Sequence, residues 1–210
     1  GILKKKISVV PEWFNHNIIE QKENNETLDL SEIKTTKNYL MVAQLTGLEP
    51  DLDRKNIVST LEWFLEYHKN DKDVGLILKT NFGRGTSKDY ITTESYIKGI
   101  VNTFRKDSDF PKIHLIHGNM KSHQVASLFK NESVFAYLSC TRGEGYGLPL
   151  IDAAVAGIPV IATNWSGHLE FLKPDLFLGV DYELIKLPEA KIDNRIFYEG
   201  FRWASPKKKS

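Results

Sequence analysis

The residues best able to do chemistry are gathered between Ser139 and Thr163. Glu144 lies in a glycine-rich loop with Gly143, Gly145 and Gly147, and Asp152 follows it with seven residues between. Gly145 and Gly147 let the backbone approach a ligand closely, Pro149 suits the first turn of a helix, and Gly157 suits a helix C-terminus. A helix starting here offers unpaired N–H groups and the positive end of its dipole to an anion. Carboxylates beside such a site are odd for a bare phosphate but fit a ligand that also carries hydroxyls. A carboxylate accepts paired hydrogen bonds from a vicinal diol while backbone amides take the phosphates. The combination points to a nucleotide-sugar. As a loop residue ahead of a helix, Glu144 is expected to carry little of the packing.

Other reactive residue types have plainer readings. Cys140 is the only cysteine, can form no internal disulfide, and is expected to be a buried, small apolar residue. His114 and His117 stand three apart on one apolar run, so they face opposite sides of a strand and, with His123, make no metal site. Gly83-Arg84-Gly85-Thr86-Ser87 lacks the spacing to a Gly-Lys-Ser/Thr ending that a phosphate loop needs. It reads as a strand-to-helix turn with an N-cap. His168, after Trp165-Ser166-Gly167, reads as part of a capping turn at the mouth of a crevice.

These residues need a frame that brings them together. Five short apolar runs recur, at Tyr39 to Leu45, Val74 to Leu78, Ile113 to His117, Val134 to Leu138 and Ile158 to Thr163, each followed by a polar or amphipathic stretch. Rich in Val, Ile and Leu without polar alternation, they read as strands covered on both faces. Helices are expected between them, over Asp53 to Asn70, over Thr86 to Lys106 and after a Ser122 cap, with a sixth strand near Leu176 to Val180. Right-handed crossovers then give an α/β, doubly wound, Rossmann-like parallel sheet flanked by helices, with ligands beyond the carboxyl ends of the strands. An edge strand at Ile7 to Val10 and a polar connection, Asn15 to Lys37, lead into it.

The composition agrees with one domain over 1–210. With 41% hydrophobic and 26% charged residues and no apolar run near the ~18 needed to cross a bilayer, membrane-spanning, collagen-like and disordered classes are excluded. Lys+Arg 28 against Asp+Glu 27 leaves a net charge of +1, so no global field recruits nucleic acid, and any membrane contact is at most peripheral. The Lys triplets, Lys4 to Lys6 and Lys207 to Lys209, read as solvated charge. A single cysteine fits a reducing, cytoplasmic compartment. Gly1 to Ser8 shows no signal-peptide pattern, and the chain reads as a piece of a longer protein.

Taken together, the motifs resemble the retaining glycosyltransferases of the GT-B fold, family 4 type, in their C-terminal, donor-binding half. Val9-Val10-Pro11 resembles the linker strand entering that half, Met41 to Asn56 the stretch bearing a basic pair for the donor diphosphate, and Ile116 to Met120 the loop beside the base. Glu144 to Asp152 resembles the family's pair of glutamates with seven residues between, and Trp203-Ala204-Ser205-Pro206 its tryptophan–proline signature. The resemblance implies that Glu144 meets the donor sugar or the reacting centre, that Asp152 holds the ribose, and that Lys55 neutralises the departing diphosphate. It further implies that Gly145, Tyr146, Gly147 and Leu148 cradle sugar and distal phosphate, with Gly118 and Met120 beside the base. Two positions depart from the pattern. Asp152 is one methylene short of the usual Glu, and Gln44 with Thr46 occupies the region where an Arg is expected, leaving Arg54, Lys79, Arg84 or a residue of another domain to supply the second cation. The implied activity needs no metal and no cofactor beyond the nucleotide-sugar donor, with a glycan, lipid or protein acceptor held by an N-terminal domain outside these residues. The alternatives are a nucleotide-sugar 2-epimerase of the same fold and a non-catalytic nucleotide-sugar-binding module.

Overall fold

The structure is a computed structural model and describes residues 8, 10–20, 28–105 and 108–208. Six parallel strands, β1 (Lys37–Val42), β2 (Val74–Thr80), β3 (Lys112–His117), β4 (Val134–Ser139), β5 (Val160–Thr163) and β6 (Leu178–Val180), form one sheet in the order β3-β2-β1-β4-β5-β6. Helices α1 (Ile57–Tyr67), α2 (Ser87–Arg105), α3 (Ser122–Phe129) and α4 (Leu148–Val155) make the crossovers. This is the doubly wound, Rossmann-like arrangement expected from the sequence, and its order reverses between β1 and β4.

The apolar runs lack polar alternation because both faces of the sheet are buried. Met41, Leu76 and Leu78 join the cluster under α1 and α2, while Leu40, Ile77 and Tyr137 join the one under α3 and α4. Leu28, Leu30 and Ile33 of the connecting segment pack against the second cluster.

Several boundaries differ from the sequence expectation. The first helix begins at Ile57 and not at Asp53, because Asn56 sits at φ 54 and the Asp53 carboxylate takes the N–H of Ile57 (2.7 Å). Ser122 does not cap α3: Lys121 holds the cap position, bonded to the Gln124 side chain (2.9 Å), while the Ser122 hydroxyl donates to Asn15 Oδ1 (2.8 Å). Thr86, by contrast, caps α2 as expected, in a reciprocal pair with Asp89. Of the expected edge strand, Ile7 and Val9 lie outside the described residues, and Ser8 and Val10 carry no strand.

A feature missed in the sequence is an antiparallel pair, β7 (Tyr182–Lys186) with β8 (Arg202–Pro206), which contains the Trp203 to Pro206 motif. Lys207 pairs with Glu183 (3.3 Å) and Lys208 with Glu66, while Lys4 to Lys6 and Lys209 lie outside the described residues.

Candidate functional site

At the point where the strand order reverses, the loop after β1 meets the loop between β4 and α4. Backbone bonds stitch the two: Arg142 N–H donates to Arg54 O (2.8 Å), and Asn56 Nδ2 donates to Cys140 O (3.1 Å). β8 backs this junction, with Ala204 N–H on Arg142 O (2.8 Å) and the Arg142 guanidinium 5.4 Å from the Trp203 ring. On the other side Glu144 is held by its main chain, its N–H donating to Ser166 Oγ (2.7 Å) and its carbonyl accepting from Gly167 N–H (3.1 Å). Gly167 must be glycine, since a Cβ there would overlap the carbonyl oxygen of Gly145.

This framework presses three charges together. Glu144 Oε1 accepts from Lys55 Nζ at 2.6 Å and Oε2 from Arg54 Nη1 at 3.0 Å, with the Glu144 side chain only 8% exposed. Arg54 Nη1 also reaches Gly143 O. Burial alone would raise the Glu144 carboxyl, but the Lys55 and Arg54 charges overcome it and hold it below the ordinary carboxylate range. Burial outweighs Glu144 at Lys55 and lowers its ammonium. Asp53, fully buried, fixes Lys55 by accepting its N–H (3.0 Å) together with the Thr46 hydroxyl (2.8 Å).

Two cavities meet at Lys55 and Pro149. One, of about 570 Å³, is lined by the ends of β1 and β2 and by Arg54, Lys55, Lys79, Arg84 and Asn119, with no carboxylate among its lining residues. The other, of about 880 Å³, is lined by Glu144, the run from Gly145 to Pro149, Glu170, and Val10 to Glu12 of the N-terminal arm. Among the described residues no bond occupies the N–H groups of Gly145, Tyr146, Gly147 and Leu148, at the start of α4. The first cavity therefore suits an anion, and the second suits hydroxyls with carboxylates and backbone donors around them.

The expected site residues divide. Lys55, Gln44, Glu144, Gly145, Tyr146, Gly147 and Leu148 line the cavities. Thr46 does not; its hydroxyl is committed to Asp53 and to Arg54 N–H (3.1 Å). Met120 packs against the core, and Gly118 is bound by Lys79 and Asn81, leaving Asn119 at the wall. Asp152 lines neither cavity: 8% exposed, it accepts the backbone N–H of Asn15 at 2.8 Å, and burial raises its carboxyl. Glu144, expected to carry little packing, is instead the buried partner of two cations.

Cys140 is buried as expected, its thiol pushed up to about 11 by burial. His114 faces Thr35 (2.9 Å) and His117 packs against Tyr90. His168 is fully buried, with Nε2 on Thr163 O (2.8 Å). Among the described residues no group of three or more His, Cys, Asp or Glu could hold a metal. Asn15, Ser166 and Arg142 were missed, and nothing in their local sequence marks their distant contacts.

Residues 109–185, from β3 to β7 and including the Glu144 loop, match the family model of glycosyl transferases group 1. The chain is also similar to a sucrose synthase of Solanum tuberosum, 22% identical over 179 residues covering 80% of this chain and 20% of that protein. A probable sucrose-phosphate synthase of Thermosipho melanesiensis is 27% identical over 172 residues, covering 81% of this chain and 35% of that protein. The chain thus spans about a fifth to a third of the length of these relatives. A solved structure described as trehalose-6-phosphate from E. coli bound with UDP-2-fluoro glucose shares the fold, with TM-score 0.52 and 13% identity over 71% of this chain and 34% of that one. No helix among the described residues is long and apolar enough to cross a membrane.

Proposed function

We propose that this chain is the donor-binding domain of a retaining, metal-independent glycosyltransferase, family 4 type, that moves a sugar from a nucleotide-diphosphate sugar to an acceptor hydroxyl. The observation that carries the reading is the pair of cavities sharing Lys55: a cationic one without carboxylates beside one lined by Glu144 and the free amides of the α4 start. The nucleotide and its phosphates take the first cavity and the sugar takes the second. The family match over 109–185 and the named relatives support the class of reaction.

In this reading the anomeric C–O bond to the diphosphate breaks as the acceptor oxygen attacks from the same face, and the acceptor proton leaves with the phosphate. Lys55 and the α4 amides stabilise the charge that develops on the leaving phosphate, and the loop 144–148 fixes the sugar. The acceptor is a glycan, lipid or protein hydroxyl held by a preceding domain, and the work is done in the cytoplasm.

The test is a calorimetric titration of the 210-residue chain with UDP, GDP, ADP and dTDP, repeated with Lys55→Ala. Saturable binding of one nucleotide, weakened at least tenfold by the substitution, is the expected result. Binding of none of them, by this chain or by a longer protein containing it, would overturn the reading.

A further inference from the structure

The cations around the first cavity are not equivalent. Arg54 and Lys55 share one carboxylate, that of Glu144, and Arg54 is further engaged by Gly143 O. Arg84 is exposed at the rim. Lys79, at the end of β2, differs from all three. It is 7% exposed, yet its ammonium bonds only neutral acceptors, Gly118 O at 2.7 Å and Asn81 Oδ1 at 2.8 Å, and among the described residues it pairs with no carboxylate. An ammonium has three donors, so one remains.

A buried charge without a counter-charge is costly, and proteins rarely keep one that only tethers neutral groups. Thr80, next in sequence, lines the same cavity. Asn81 Oδ1 also takes the Gly118 N–H (3.0 Å), so the ends of β2 and β3 hold Lys79 rigidly where an anion would complete it.

We propose that Lys79 is an anion-binding residue of this chain and supplies the second cation of the phosphate site, placed at the end of β2 beside the uncharged Gln44 that follows β1. Its ligand is the phosphate oxygens of the nucleoside diphosphate, so the assignment rests on the functional reading above, although the anion site is testable without it. Lys55 then faces the phosphate nearer the sugar, and Lys79 the one nearer the nucleoside.

The probes are inorganic pyrophosphate, the four nucleoside diphosphates and the corresponding phosphate-free nucleosides, titrated into the whole chain. The variants are Lys79→Met, Lys79→Arg and Lys79→Gln, with a thermal melt recorded for each. Lys79→Met is expected to weaken pyrophosphate and diphosphate binding at least tenfold while leaving nucleoside binding unchanged, and Lys79→Arg to restore most of it. Lys79→Gln keeps a donor for Gly118 O without the charge; it serves where the Met variant does not fold, and the same loss is expected. Wild-type affinity for pyrophosphate in a folded Met or Gln variant would overturn the assignment while leaving the functional reading intact. Pyrophosphate binding that depends on Lys79, with no nucleotide bound, would keep the assignment and remove that reading. Binding of neither probe by the unaltered chain would overturn the assignment, and the functional reading falls with it when a longer protein containing the chain binds none of the nucleotides either.

Discussion

At the residue scale the decisive group is Glu144. A glutamate in an exposed loop could be removed cheaply, but this one neutralises Lys55 and Arg54 in a site it shares with them. Glu144→Ala is expected to destabilise the fold by about 2–3 kcal/mol, less than for a fully enclosed pair because Arg54 keeps contact with water. Chemical denaturation measures this, and an unchanged stability would mean that the ion pair does not form. The pH dependence has a definite sign. Because the folded carboxyl lies below its unfolded value, its stabilisation is fully present above the unfolded value and disappears as pH falls through the folded one. The stability gap between the unaltered chain and Glu144→Gln should therefore be widest near neutrality and close in acid. A gap that widens toward acid would contradict the assigned charge state.

At the element scale the N-terminal arm and α4 are joined through Asp152. The arm bonds to Asp152 Oδ1 through Asn15 N–H, to Ser122 through the Asn15 side chain, and to Lys130 through Asn17 O, and it then contributes Val10 to Glu12 to the wall of the second cavity. Asp152→Ala orphans the Asn15 donor at a cost of about 1–2 kcal/mol, whereas Asp152→Asn keeps an acceptor. Limited proteolysis should cut within residues 10–20 several-fold faster in the Ala variant than in the Asn variant. Equal cutting rates would show that another contact holds the arm.

At the scale of the whole molecule, the doubly wound parallel sheet, with a site beyond the carboxyl ends of its strands, was legible because apolar runs separated by amphipathic helices admit few topologies, whereas the strand order came only with the structure. The Glu144 loop was legible too, since glycines, a proline and a carboxylate before a helix are local signals. The pairing of Lys55 with Glu144 was not, because the partners are 89 residues apart and meet only when β1 and β4 become neighbours. β7 escaped because its residues are half exposed, and β8, although largely buried, because its strand partner lies across a long loop. The spacing placed Asp152 correctly on α4, but the contact it makes comes from an arm more than a hundred residues away. Net charge misled least: a chain balanced at +1 overall still gathers Arg54, Lys55, Lys79 and Arg84 around one cavity.

The central claim is that a nucleotide-sugar lies across the two cavities that share Lys55. The most direct test is to map backbone amide shifts of the isotope-labelled chain on adding the nucleotide-sugar whose nucleotide binds best. Shifts clustered at residues 42–44, 54–55, 79–84, 119 and 144–148 are the expected result. Shifts confined to the separate apolar groove formed by Tyr67, Phe135 and Leu178, with none at Lys55 or Glu144, would contradict it.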